Sequence, residues 1–267
     1  MREFEAVMPK LVDRVTLPEG TGLTFDEISL AKLTAQNVTE ATILDNPQQI
    51  QDTLFSITPT MAAVQTVITD RTKRRISKNV AGKMGELAGN AMERKKDEDG
   101  LAILDGATTS LSGAGSTLTS GIIAAAANRI MGNTTERGMP PLYTVLHPFQ
   151  VKDIQDEVVA GVGTYTIPEG LTERTFRQGF SGTLFNTEVF LDGNISIDGS
   201  DDAKGGVFAK DAIVLVQGFA PRAETERKAG WGGGSDVLYM YDEYAYGERS
   251  AGNWLYEIYS DATAPTS

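Results

Sequence analysis

Apolar and polar residues alternate wherever the first quarter of the chain shows a pattern. Val12-Asp13-Arg14-Val15-Thr16-Leu17 alternates as a half-buried strand does. It runs into Pro18-Glu19-Gly20-Thr21-Gly22, a turn-forming cluster. Strand-like pieces follow at residues 42–44, 53–57 and 64–68. Little in this region forms a core by itself, because isolated strands are marginal in water. Two readings stay open for residues 1 to about 60. One is a β-rich start to a domain; the other is an arm and a long hairpin that pack on neighbouring subunits.

Around Arg75 the period changes. Ile76, Val80, Met84, Leu87 and Ala91 fall on one helical face, which predicts a long helix ending in Arg94-Lys95-Lys96. Those cations suit the negative end of the helix dipole. Asp97-Glu98-Asp99-Gly100 is expected to break the helix. Gly82, Gly85 and Gly89 each weaken it by roughly 1 kcal/mol relative to Ala. Their spacing predicts close packing of another element across the helix.

Residues 106–119 are rich in Gly, Ser and Thr and read as a loop at a domain boundary. A second helix is predicted over 120–131 and a short buried strand over 142–146. His147-Pro148 starts a third helix, with Pro in a first-turn position that needs no donor. Its apolar face is Val151, Ile154 and Val158, opposite a Lys152–Asp156 pair. From Gly161 onward strands and turns dominate, with alternation over 182–191 and a central strand at 212–216. Gly230-Trp231-Gly232-Gly233-Gly234 reads as a flexible link. Strands over 237–246 and 254–259, joined by 247–253, read as a closing hairpin with tyrosines on one or both faces. No internal repeat is visible.

Composition narrows the function classes. At 267 residues, 40% hydrophobic and 22% charged, the chain suits one large domain or two interwoven lobes. The absence of Cys excludes disulfides, thiol catalysis and Cys-based zinc sites. The formal net charge of −12 gives no general attraction for nucleic acid. Acids in Met1-Arg2-Glu3-Phe4-Glu5 do not fit a signal peptide. The apolar runs at 122–127 and 212–216 are too short to span a bilayer, so the expectation is a soluble protein made inside a cell, with no membrane partner.

Candidate chemistry is thin. Gly113-Ala114-Gly115-Ser116-Thr117 lacks the spacing and the Lys of a phosphate loop and reads as a flexible linker. Asp192, Asn194, Ser196 and Asp198 alternate like calcium ligands, but Ile197 and Ala203 stand where the loop needs Gly and Glu. A polar turn flanked by Asp201 and Asp202 is expected. His147, the single histidine, is expected to be structural or capping. Arg71, Lys73, Arg74, Arg75 and Lys78 form the one basic cluster, read as inter-subunit salt bridges or a solvated face. The glycosylation-type triplets at Asn37, Asn133 and Asn194 are unsupported by a secretory signal. No catalytic, cofactor-binding or metal residue is assigned, and no cofactor or enzyme activity is expected.

The order of elements carries a resemblance. Residues 77–106, with Arg94-Lys95-Lys96-Asp97-Glu98-Asp99, look like a spine helix and its exit. Residues 118–131, followed by Leu142-Tyr143-Thr144-Val145-Leu146-His147-Pro148 and the helix through Val159, look like the start of an axial domain. Tyr244-Ala245-Tyr246-Gly247 and Asn253-Trp254-Leu255-Tyr256 look like last strands returning to a peripheral domain. Together they resemble the major capsid proteins of tailed bacteriophages. The resemblance implies an α+β, Hong Kong 97-like capsid fold. In it, 1–12 is an N-terminal arm, 13–58 an extended loop, 59–115 and 225–267 the peripheral domain with the spine helix, and 116–224 the axial domain. It implies pentamers and hexamers closing into an icosahedral shell around double-stranded DNA, bound without sequence specificity. The implied place is the virion, assembled in the host cytoplasm, with a portal and, in some relatives, a decoration protein as partners. The chain starts a few residues before the implied loop, so the expectation is a separately encoded scaffold protein, or none. Some relatives form Lys–Asn cross-links; Lys32 and Asn253 are the conceivable pair here. Two alternatives stay open, an encapsulin-type nanocompartment shell and a soluble hydrolase with an unrecognised site.

Overall fold

The structure is a computed structural model. It describes residues 6–20, 22–30, 52–76, 80–134, 136–161, 182–250 and 252–266, with positions 33, 35, 37, 38 and 40. The strand-like piece at 42–44, Lys32 and Lys78 lie outside the described residues.

The described chain starts with one helical turn, α1 (Met8–Leu11), and the strand β1 (Asp13–Thr16). A two-stranded hairpin follows, made of β2 (Phe25–Leu30) and β3 (Asp52–Ile57) with Ile28 opposite Leu54. The strand β4 (Thr60–Thr69) runs into the short helix α2 (Asp70–Arg75), whose first turn is capped by Thr69 Oγ1 accepting from the Thr72 amide. Then comes α3 (Val80–Asp105), whose 26 residues span about 39 Å. The remaining elements are β5 (Ser110–Ser112), α4 (Ser120–Gly132), β6 (Leu142–Leu146), α5 (Pro148–Gly161), β7 (Thr183–Leu184), β8 (Thr187–Leu191), β9 (Asp202–Ala209), β10 (Ile213–Lys228), β11 (Ser235–Glu248) and β12 (Leu255–Asp261).

Besides the hairpin there is a four-stranded sheet in the order β1-β10-β11-β4 and a six-stranded sheet in the order β5-β12-β9-β6-β8-β7. The main core lies where α3, α4 and α5 meet the six-stranded sheet. Leu104, Ile123, Ile130, Leu146, Ile154, Phe208 and Leu255 are all fully buried there. Val151 and Ile154 face this core as their spacing predicts, and Lys152 pairs with Asp156 at 2.6 Å on the far side. The carboxylates of Asp153 and Glu157 on α5 accept from the Leu118 and Ser120 amides at the start of α4, meeting donors that a helix start leaves unpaired.

Several expectations are corrected. The long helix does not stop at Lys96 but continues through Asp97, Glu98, Asp99 and Gly100 to Asp105. Asp residues disfavour helix interiors because they compete for nearby backbone donors. Here Asp97 is engaged by the Val7 and Met8 amides, and Asp99 by Lys95 at 2.9 Å. A Cβ added at Gly85 or Gly89 would meet nothing within 4 Å, so neither marks close packing among the described residues. Gly100 does: a Cβ there would lie 2.8 Å from Met8 Cβ.

The two closing strands are not a hairpin with each other. β11 pairs with β10 and β4, while β12 lies between β5 and β9 in the other sheet. Alternation reveals a strand but not its neighbour. Residues 230–234 are the tight turn between β10 and β11 and not a free link, with Gly232, Gly233 and Gly234 all at positive φ. The 224/225 boundary falls inside β10, which runs unbroken from Ile213 to Lys228.

Candidate interaction surfaces

The β2–β3 hairpin leaves the body of the subunit with apolar residues uncovered. At its base Phe25, Phe55 and Ile57 pack against Val214 and Val216. Arg249 reinforces that base, with Nη2 2.7 Å from Asp13 and Nε donating to Glu27 at 2.8 Å. Further out, Ile28, Leu30 and Leu54 are each more than 60% exposed, and Leu23 is 73% exposed. Contiguous exposed apolar surface of this kind marks an interaction site in a natural protein. Of its two strands only β3 is read from the sequence, and nothing among the described residues covers the outer half.

At the far end of the four-stranded sheet, Arg227 bridges Asp70 and Asp236, and Asp236 also takes Lys73. The guanidinium and ammonium hold the Asp70 and Asp236 carboxyls below their ordinary range. Of the predicted basic cluster, Lys73 is therefore spent inside the subunit. Arg71, Arg74 and Arg75 lie on α2 and make no ion pair among the described residues. They are the part of the cluster still open to a partner.

The centre of the molecule holds a buried polar junction that the pattern of the chain did not reveal. α3 contributes Lys96, Asp97 and Asp99. Lys96 pairs with Asp242 of β11 at 2.5 Å, and its ammonium lies 4.9 Å from the centre of the Tyr244 ring. Tyr244 donates its hydroxyl to Asp99 at 2.8 Å; burial and the nearby acids raise its pKa. Asp97, fully buried, accepts from the Val7 amide at 2.8 Å and the Met8 amide at 2.9 Å. Residues 6–12 are thus fastened to the subunit's own spine. The i,i+4 spacing of Lys95 and Asp99 is a local signal in the sequence that the helix continues.

The residues singled out for chemistry are spread through the fold. In 113–117, the Gly115 amide donates to Asp202 at 2.7 Å and the Ser116 carbonyl accepts from the Asp261 amide, so the segment is a pinned turn and not a flexible linker. Asp192 and Asp198 belong to two separate turns. Asp198 accepts from the Ser200 and Asp202 amides and from Tyr259, which keeps its carboxyl low. His147 caps α5, its Nδ1 accepting from the Phe149 amide at 3.2 Å, and burial pushes its pKa down. Asn253 accepts from Asn133 and donates to Ser250. Asn194 lies between the Asp97 and Asp192 carboxyls. Among the described residues no group of three acidic or histidine side chains is placed to hold a metal ion. No helix among them is long and apolar enough to cross a membrane.

No protein-family profile and no curated protein matches the sequence. Solved structures do match. One from Mycobacterium phage Che8 superposes with a TM-score of 0.77 at 14% identity, covering 97% of this chain and 93% of that one. The capsid of cyanophage P-SCSP1u gives 0.75 at 12% identity over 98% and 90% of the two chains. The mature capsid of bacteriophage PhiM1 gives 0.71 at 12% identity over 99% and 90%. The chain has the Hong Kong 97-like capsid fold over nearly its whole length.

Proposed function

We propose that this chain is the major capsid protein of a tailed bacteriophage, a structural subunit without catalysis of its own. Copies assemble as pentamers and hexamers into an icosahedral shell that encloses double-stranded DNA. The observation that carries the proposal is the β2–β3 hairpin. In a fold shared end to end with phage capsid structures, it holds out Ile28, Leu30 and Leu54, which the described parts of the subunit leave uncovered. Covering it with another copy gives both buried area and strand-edge hydrogen bonds. Contacts between unlike surfaces repeat around a ring and close it.

The net charge of −12 supports a shell wall to which packed phosphates do not adhere. A portal and, where they are used, a scaffold protein and a decoration protein are the partners this reading brings. The protein then resides in the virion after assembly in the host cytoplasm. The arm is 1–12, the extended loop 13–58, the peripheral domain 59–115 with 225–267, and the axial domain 116–224. Sheet membership supports moving β5 and β12 to the axial side, and β1 with most of β10 to the peripheral side.

Light scattering and negative-stain microscopy of the purified protein test the reading. Closed shells or rings of five or six are expected. A monomer that persists across salt, crowding and added scaffold would overturn it. Packaged enzyme in place of DNA in particles from the native source would favour a nanocompartment shell.

A further inference from the structure

A pair of acids sits at the point where the N-terminal segment, the spine helix and the end of β8 meet. Asp97 on α3 is fully buried and Asp192, just past β8, is 3% exposed. One amide group joins them: Asn194 Nδ2 donates to Asp97 at 2.8 Å and to Asp192 at 3.0 Å. The other Asp97 oxygen holds the Val7 and Met8 amides. Asp192 Oδ1 also accepts from the Asn194 amide, whereas Asp192 Oδ2 is buried with no hydrogen-bond partner among the described residues. The Tyr246 hydroxyl on β11 is in the same position.

We propose that Asp192 carries a proton toward Asp97 and that the two act as a latch, holding residues 6–12 on the spine while the proton stays and releasing them when it leaves. A buried oxygen without a donor is costly, and a proton on Asp192 turns that oxygen into a donor toward the Asp97 carboxylate. Without the proton, two buried carboxylates face one another across a single neutral amide group, that of Asn194. The other charged groups around the pair are Lys10 on α1, Arg14 on β1, and Lys96 and Asp99 on α3. Arg14 donates to the Pro9 carbonyl, Lys96 is taken by Asp242, and Asp99 by Lys95 and Tyr244. Burial first, and Asp97 second, push the Asp192 carboxyl up to about 7.

The sign follows from that direction. A carboxyl raised in the folded state keeps its proton where the unfolded chain has lost it. The latch is therefore closed in mildly acidic solution and weakens as pH rises through about 7. A groove of about 320 Å³ lies beside the pair, lined by Ala6, Val7, Lys10, Leu11, Phe190 and Leu191, the chain neighbours of both bonded ends. The latch lies within one subunit and operates whether or not subunits build a shell.

Hydrogen exchange at the Val7 and Met8 amides, corrected for intrinsic rate, tests it from about pH 5 to about pH 9 at fixed assembly state. Protection is expected to fall by up to about tenfold per pH unit as pH rises from about 5 to about 7, the limit for one proton, and to level off above that. Asp192→Asn, whose amide donates as the protonated acid does, is expected to keep protection flat across the range. Identical profiles for the two proteins would overturn the latch. Restored protection at high pH on adding magnesium or calcium chloride would overturn it too, since the pair would then be a cation site. Should the variant fail to fold, infrared spectra of the unmodified protein decide the matter. A protonated buried carboxyl band that bleaches near pH 7 supports the latch, and its absence at every pH rejects it.

Discussion

The Lys96 ammonium lies 2.5 Å from the Asp242 carboxylate with both side chains closed off from solvent, one on the spine helix and the other on the long sheet. Burying two charges is expensive, so the pair is worth little more than well-packed apolar groups, while a single unpaired member is strongly destabilising. Lys96→Met is therefore expected to destabilise the unassembled subunit by about 3–5 kcal/mol. The double variant Lys96→Met with Asp242→Leu should recover most of that loss. Urea unfolding of the two single variants and the double variant gives the coupling directly. Equal losses for single and double variants would mean that the pair acts through packing and not through charge.

Two glycines on the same helix should respond in opposite directions. Gly89 has open space where a Cβ would stand, so Gly89→Ala is expected to stabilise by about 0.5–1 kcal/mol through the unfolded chain. Gly100 faces Met8 at 2.8 Å, and Gly100→Ala should destabilise despite its better helix propensity. Melting curves of the two variants separate the cases. If the open face carrying Gly85 and Gly89 seats another copy in a shell, Gly89→Ala will raise subunit stability and lower assembly yield together.

Much of this fold was legible where apolar spacing is local. The faces of α5 and β6, the start of α5 at Pro148 and the central place of β10 follow from periodicity and from the missing proline donor. What stayed hidden depends on residues far apart in the chain. Asp97 reads as a helix breaker until the Val7 and Met8 amides, some ninety positions away, take its oxygen. The pairing of β12 with β9 instead of β11 is set by the core around Leu104, Phe208 and Leu255, and alternation within a strand carries no record of that choice. The exposed hairpin is half legible: β3 is visible at 53–57 and β2 is not, and the choice between a domain start and a hairpin packed on neighbours stays open because alternation looks the same whether the covering surface is the subunit's own or a neighbour's.

That hairpin supplies the sharpest separation of stability from assembly. Ile28 and Leu54 are directly opposite one another and both more than 60% exposed. Exposed positions of this kind tolerate substitution within about 0.5 kcal/mol. Ile28→Asp with Leu54→Asp should leave subunit melting nearly unchanged while abolishing rings and shells in light scattering. Normal particles from this variant would remove the hairpin from the interface.

The single histidine allows a test of pH dependence with its sign fixed in advance. His147 Nδ1 accepts from the Phe149 amide, a bond that needs the neutral ring, and burial lowers its pKa from an ordinary value of 6.5. Between the folded and unfolded values the unfolded chain binds more protons, so this group favours folding above pH 6.5 and loses that contribution as pH falls below it. Asp153, Asp192, Glu248 and Glu257 are all raised, mainly by burial, and act in the opposite sense, favouring the fold as pH falls. Total stability therefore mixes the two slopes, and the difference between unmodified protein and a variant isolates one of them. His147→Asn keeps an acceptor for the Phe149 amide and removes the titration. The stability gap between the two proteins is expected to shift in favour of the variant as pH drops through about 6 and to be constant above about 7.5. Urea midpoints at a series of pH values measure that gap. A gap that does not change with pH would mean that the ring titrates alike in the folded and unfolded chain, and a gap that shifts the other way would mean that it is protonated in the folded subunit.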